Sequence, residues 1–368
     1  MKILMLVAND VSHDPRVINE AKELLKVGHE VAILGVDYDD ALSAQENIDG
    51  ITIYRIKKIH LMKLAMRNFF RLWVYQYFAY KQALKISFDI LYCHNLDTLV
   101  FGVPIAKKRH KPIVYDAHEI YGYMQARSLP AWMCRRYLRL EKKLIKRVHA
   151  VITVNQPLKS YFESITNHPV TIIRNAKRLP LRTYQAPQNN KFTLLYIGTL
   201  TPARFLTELV DIVSQLEFCY LILGGIGRLE SQLRTQCQSI PNVDFIGPVP
   251  MEQVIPYTIQ CDVVISMTSP NDPNNSIATA NKQYEAMVCG RPIICTANTY
   301  PGEFTLKENV GLVADYTKES LKEAIIKLYQ HPELRLELGG KAFKVAQEKY
   351  NWDLEASKLI SIINTFKR

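Results

Sequence analysis

No apolar run in this 368-residue sequence approaches the length of a membrane-spanning helix, and the run Ile3 to Ala8 is too short for the core of a signal peptide. The expected compartment is therefore the cytoplasm. The seven cysteines form no C-x-x-C pair and no close cluster with histidines, which argues against disulfides and structural zinc. They read as small buried apolar residues. No G-x-G-x-x-G follows the first strand, so a dinucleotide would lack the glycines that bring its pyrophosphate against the backbone. No helix-turn-helix, zinc-finger or RNA-binding signature appears, and nucleic acid is not an expected partner.

Acid is missing from one long stretch. Between Tyr54 and Phe88 there are eight basic residues (Arg55, Lys57, Lys58, Lys63, Arg67, Arg71, Lys81, Lys85) and no aspartate or glutamate before Phe88. Phe69, Phe70, Trp73, Tyr75, Tyr77, Phe78 and Tyr80 are interleaved with them. A second basic run, RRYLRLEKKLIKR, follows at 135–147. The whole chain has 46 basic and 35 acidic residues, a net +11, which suits nucleic acid, an anionic membrane surface or phosphorylated ligands. The stretch 54–88 reads equally as a membrane-facing surface or as an amphipathic helix pair with a solvated basic face.

With 48% hydrophobic and 22% charged residues the chain is globular, and its length exceeds what one core usually serves, so two domains are expected. KILMLVA reads as a buried strand, VINEAKELLKVGHE as an amphipathic helix closed by Gly28, and VAILGV as the next strand. The alternation continues through DILYCHN, a helix through Ile105 to Arg109, PIVYDAHE, a long helix near 131–148 and AVITVN. It restarts at FTLLYIGTL after the polar stretch 181–191. The predicted fold class is α/β, with two doubly wound, Rossmann-like parallel-sheet domains and a cleft between them. Residues 1–180 form the first domain, 181–191 a linker and 192–349 the second domain. The last segment, 350–368, reads as one more amphipathic helix.

Ligands bind at the carboxyl ends of strands in such sheets, so the polar strand tips are the candidates. In the first domain these are His13 and Arg16 after the first strand, His94 with Asn95, and Asp116, His118 and Glu119 in VYDAHE. The two histidines at neighbouring tips supply a proton carrier. Asp37-Tyr38-Asp39 has a metal-binding spacing, but no further oxygen ligands lie near it, and it reads as a solvated loop. In the second domain, Gly198 ends a strand with Arg204 shortly after. GGIG at 224–227 puts Gly225 and Gly227 at another strand end, and Asn281, Lys282 and Glu285 open a helix. Lys282 and Glu285 share a helix face and either pair with each other or face one ligand.

Taken in order, G-x-L-x-x-x-R, G-G-x-G and N-K-x-Y-E-A-M-x-C-G-R-P resemble the donor domain of family-four retaining glycosyltransferases with the GT-B fold. SHDPRVINEAKELLKVGHEV and VYDAHE resemble the acceptor domain of that family, and Trp352-Asp353 its crossing-back segment. The resemblance covers nearly the whole chain. It implies that Glu285 accepts from the ribose hydroxyls of a nucleotide, that Arg204 and Lys282 face the donor diphosphate, and that His118 stands near the sugar and acceptor. It implies no metal or other cofactor, with a nucleotide diphosphate sugar as co-substrate. Two positions depart from the family pattern, Ile277 where a glutamate is usual and Thr199 where an arginine is common.

The expected function is a glycosyltransferase, hexosyltransferase-like, retaining and metal-independent, with a lipid-linked or surface glycan precursor as acceptor. Rival readings are a sugar-nucleotide epimerase of the same fold, a non-catalytic GT-B partner subunit and, third and weakest for want of any nucleic-acid-binding signature, a nucleic-acid-binding protein.

Overall fold

The computed structural model describes residues 1–12, 14–57 and 68–367. His13, Lys58, Lys63 and Arg67 lie outside the described residues. The chain divides into two compact units, Met1–Arg174 with Glu355–Arg368, and Asn175–Leu354.

The first unit opens with β1 (Lys2–Leu6), α1 (Pro15–Lys26), β2 (Glu30–Asp37), β3 (Gln45–Ile48) and β4 (Ile51–Lys57). It continues with α2 (Asn68–Ala83), β5 (Ile90–His94), α3 (Asn95–Arg109), β6 (Ile113–Ala117), α4 (Tyr121–Met124) and α5 (Ala131–Leu144). It then runs through β7 (Ala150–Thr153), α6 (Gln156–Ile165) and β8 (Val170–Ile172). The sheet order is β3-β4-β2-β1-β5-β6-β7-β8, parallel except for the β3–β4 hairpin. Every residue of β5 and β6 is buried, as apolar runs covered on both faces must be. The order reverses between β1 and β5, which places the ligand crevice of this unit at the carboxyl ends of β1, β5 and β6.

Local chemistry starts and stops α1. The Asp14 carboxylate accepts from the Val17 N–H and Pro15 fills the first helical position. Gly28, at φ +82°, closes the helix with its N–H on the Leu25 carbonyl.

The second unit holds β9 (Phe192–Thr199), α7 (Leu206–Ser214), β10 (Cys219–Ile226), α8 (Glu230–Cys237), β11 (Val243–Gly247), α9 (Met251–Gln260) and β12 (Val263–Ser266). It continues through α10 (Pro273–Ile277), α11 (Asn281–Val288), β13 (Ile293–Thr296), α12 (Tyr300–Glu308), β14 (Gly311–Ala314), α13 (Lys318–Gln330) and α14 (Pro332–Lys349). Its sheet is wholly parallel, in the order β11-β10-β9-β12-β13-β14. The order reverses between β9 and β12. The last helix, α15 (Trp352–Asn364), starts in the second unit and ends in the first, where the Arg174 guanidinium donates to Glu355 at 3.0 Å.

Two sequence expectations change here. The stretch 181–191, read as a linker, is tied to the second unit: the buried Arg291 guanidinium donates to the Gln185 carbonyl at 2.8 Å, and Asn189 Nδ2 donates to Asp262 at 2.9 Å. Nor is the run from Tyr54 a uniform basic surface. It begins inside β4, where the buried Arg55 guanidinium donates to the Asp10 and Ser43 carbonyls and pairs with Glu46. Lys57 pairs with Asp37 at 3.0 Å.

Charge is divided as unevenly as the fold is evenly. The first unit holds 29 lysines and arginines against 17 acids, a net +12, and the second 17 against 18, a net −1. The basic character belongs entirely to the first unit.

Candidate active site

In the first unit the strand tips carry a buried ionic cluster. Arg16, in the first turn of α1, donates to Asp116 at the end of β6 through Nε and Nη2, each at 2.9 Å. Nη1 donates to the Ile173 carbonyl at 2.9 Å, and Nη2 also lies 3.1 Å from Glu20. Glu20 in turn accepts from the Tyr92 hydroxyl at 2.7 Å. Burial works to raise Asp116, but Arg16 and then His118 outweigh it and hold the carboxyl well below its usual range. Asp116 is a fixed anion held by a fixed cation.

Two histidines converge on that anion. His118 Nε2 is 3.0 Å from Asp116 Oδ2, His94 Nδ1 is 3.2 Å from the same oxygen, and the two ring nitrogens are 3.4 Å apart. Only the His118 side chain reaches the surface, at 20% exposure against 2% for His94 and 0% for Asp116. Asn95, at φ +62°, fixes the approach of His118 by accepting its backbone N–H at 3.3 Å. Glu119 follows half-buried. His94, Asp116 and His118 bring ligand atoms within 4.8 Å of one another, as a metal site would need, and Arg16 grips the carboxylate among them with two donors. The arrangement also orients an imidazole toward the strand-end crevice, as a carboxylate behind a histidine does in general acid–base and electrostatic sites.

The structure also shows a group that the sequence reading missed. Asp97 lies in the first turn of α3, and burial pushes its carboxyl up to about 6. Nothing in the pattern NLDTL marks it apart from an ordinary first-turn acid.

Asp37 is part of a turn. Its carboxylate accepts from the N–H groups of Leu42 and Asp39 at 2.7 and 3.2 Å, and from Lys57. Burial alone would raise it, but the Leu42 N–H and Lys57 bring it down to about 2. The D-x-D spacing is a loop anchor.

In the second unit, β9 and β10 run side by side until Gly198 meets Gly225. A Cβ on Gly225 would stand 1.8 Å from the Gly198 carbonyl oxygen, and one on Gly227 2.3 Å from that of Leu200, so only glycine allows the two tips to touch. Beneath them lies Lys282, in the first turn of α11. Its Nζ donates to the Ile197 carbonyl at 3.2 Å, sits 4.2 Å from the centre of the Tyr196 ring, and would be 2.6 Å from a Cβ on Gly198. Burial, then the positive charge of Arg204, bring its ammonium down to about 7 against an opposing pull from Glu285. Arg204 is half-buried and ends a one-turn helix, Pro202–Arg204, ahead of α7. Asn281 is exposed at the first position of α11. Ile277, at the end of α10, is half-buried.

Lys282 and Glu285 do not pair with each other. Glu285, 9% exposed, has Oε1 3.2 Å from the ammonium of Lys177, a residue that no sequence motif singles out. Lys177 is placed by its backbone, its carbonyl accepting the Trp352 N–H at 3.0 Å.

Comparison of the sequence with known protein families gives two matches. The model of Glycosyltransferase Family 4 matches residues 16–176, and that of Glycosyl transferases group 1 matches residues 191–331. The chain is a family-four glycosyltransferase. No curated protein matches it by sequence. Among solved structures, this glycosyltransferase is similar to sucrose-phosphate synthase from Thermosynechococcus elongatus, with a TM-score of 0.81 at 16% identity over 99% of this chain and 98% of that one. It is also similar to Anabaena HepE in complex with UDP-glucose, with a TM-score of 0.73 at 16% identity over 99% and 100%. A third likeness is to WaaG, a glycosyltransferase involved in lipopolysaccharide biosynthesis, with a TM-score of 0.72 at 14% identity over 98% and 99%. At these identities the structures share the GT-B fold, two parallel-sheet Rossmann-like domains, with the transferase.

Proposed function

We propose that this glycosyltransferase moves a hexose, with retention and without a divalent metal, from a nucleotide diphosphate sugar bound by the second unit to an acceptor bound by the first. The observation that carries the reading is Lys282. Its ammonium is held under the Gly198–Gly225 contact, near Arg204, and among the described residues it forms no ion pair. A half-buried cation with no anion of its own suits a ligand that brings one. As the glycosidic bond breaks, charge grows on the leaving diphosphate, and Lys282, Arg204 and the N-terminus of α11 stabilise it. Glu285 accepts from the ribose hydroxyls, with Lys177 orienting its carboxylate. The glycines let the donor approach the backbone, and the family resemblance assigns His118, braced by Asp116, to the sugar and the acceptor. HepE, whose structure holds UDP-glucose, makes uridine sugars the first donors to try.

The acceptor we take to be a glycan or lipid-linked glycan precursor, met at the cytoplasmic face of a membrane. The net +12 of the first unit supports this, since a lipid-linked precursor lies in an anionic surface. Calorimetric titration with a panel of nucleotide sugars tests the donor half, and the absence of binding to any of them would overturn it.

Two outcomes follow from these roles. Glu285→Ala should weaken donor binding by about 1.5–3 kcal/mol, the worth of hydrogen bonds to a charged group, while the fold persists. Unchanged donor affinity would remove Glu285 from the site. Activity should survive strong chelation, because Lys282 and Arg204 supply the cations. Loss on chelation with rescue by magnesium or manganese would show that a metal serves the diphosphate instead.

A further inference from the structure

We propose that the outward face of α5 docks the first unit onto an anionic lipid bilayer. Trp132, Arg135, Arg136, Arg139, Lys142 and Lys143 recur at the spacing of one helix face, and all are exposed. Lys146 and Arg147 continue the stripe, exposed, in the one-turn helix that follows. The single acid of this segment, Glu141, faces inward, fully buried, and accepts from the Tyr115 hydroxyl at 2.6 Å. Among the described residues none of the seven cations forms an ion pair, although they supply seven positive charges to a unit whose net is +12.

Three features select a bilayer as the occupant. The stripe is a convex helix face about 20 Å long, more than one phosphate can span. It lines up cations without intervening acids, as surfaces drawn to anionic lipid do. Trp132, at one end, is 55% exposed, and a tryptophan at that position sits well at the level of lipid headgroups. The surface differs from the 54–88 stretch, whose Arg55 and Lys57 are consumed inside the fold. The inference rests on the membrane placement proposed above and not on the donor chemistry.

The test is co-sedimentation of the full chain with phosphatidylcholine vesicles, with and without phosphatidylglycerol, at low and high salt. Binding is expected only with the anionic lipid, and is expected to fall as salt rises. Each cation near such a surface is worth about fivefold in partition, so combining R135Q, R139Q, K142Q and K143Q should weaken binding by at least about 50-fold. Trp132→Ser should weaken it without changing the salt dependence. Thermal unfolding and nucleotide-sugar affinity of both variants should match the wild type, which separates a failure of docking from a failure of the donor site. Equal vesicle binding by the fourfold variant would overturn the proposal. So would tighter binding of the wild type to RNA than to the anionic vesicles at the same salt, which would make the stripe a nucleic-acid surface.

Discussion

Lys282→Met is expected to lower turnover by about 10²- to 10³-fold, the effect of removing one preorganised charge from a developing anion. Methionine keeps an unbranched apolar stem out to Cε and removes the ammonium with its contact on the Tyr196 ring, so the loss reports the charge. Because the diphosphate gains charge as the bond breaks, kcat should fall more than donor affinity. Steady-state kinetics with saturating donor makes the measurement, and full turnover in the variant would show that Lys282 does not serve the leaving group.

The same lysine predicts a pH dependence whose sign is fixed. In the free protein, burial followed by Arg204 brings Lys282 to about 7. A bound diphosphate draws it back up, so binding takes up a proton at pH values above 7. Donor affinity is therefore greatest below that point and falls as pH rises through it. The free protein behaves in the opposite way. Between about 7 and the unfolded lysine value near 10.4, the unfolded chain holds the extra proton, so this residue makes the fold more stable as pH rises. Glu20 and Glu141, both pushed up to about 7 by burial, act in the lower window and reduce stability as pH rises toward 7. Comparing wild type with Lys282→Met isolates the lysine. Calorimetry in two buffers of different ionisation enthalpy at pH 8 should register proton uptake in the wild type alone, and equal heats in both buffers would refute the linkage.

Arg16→Met should destabilise the protein by about 3–5 kcal/mol, the cost of breaking a buried charge pair and leaving its partner unpaired. Asp116 and Glu20 would then lack their shared cation, and Glu20, which burial already raises to about 7 against the pull of Arg16, would take up a proton. The Asp116 carboxylate that orients His118 would lose its anchor, so turnover should drop beyond what stability explains. Arg16→Lys should lie between, since a lysine keeps the charge but cannot grip Asp116 with two parallel donors. Denaturant unfolding followed with kinetics on the folded fraction decides the matter, and a variant as stable as the wild type would contradict the buried pairing.

Much of this was legible in the residues. Apolar runs such as ILYCH and IVYDA announced central parallel strands, and the polar residues ending them announced the crevice. The glycines at 198, 225 and 227 and the lysine at 282 stood at strand-to-helix junctions that the fold brings together. The β3–β4 hairpin was missed, although Asp49 and Gly50, both at positive φ, carry a recognised hairpin dipeptide. The short strand beside it gave too little alternation to be seen. The partners of site residues were not legible at all. Glu285 meets Lys177 across 108 positions of sequence and Arg16 meets Asp116 across 100, distances over which periodicity carries no information.

The seven cysteines end as a measuring device. All are buried and free, and burial raises Cys219, Cys289 and Cys295 to about 12 and Cys237 to about 11. Thiols so placed react with an alkylating reagent only when the chain around them opens. Cys93 and Cys134 belong to the first unit and the other five to the second. A mass spectrum after a timed exposure would therefore show two steps if the units open independently, gaining two labels in one and five in the other. A single step of seven would mean that they melt together.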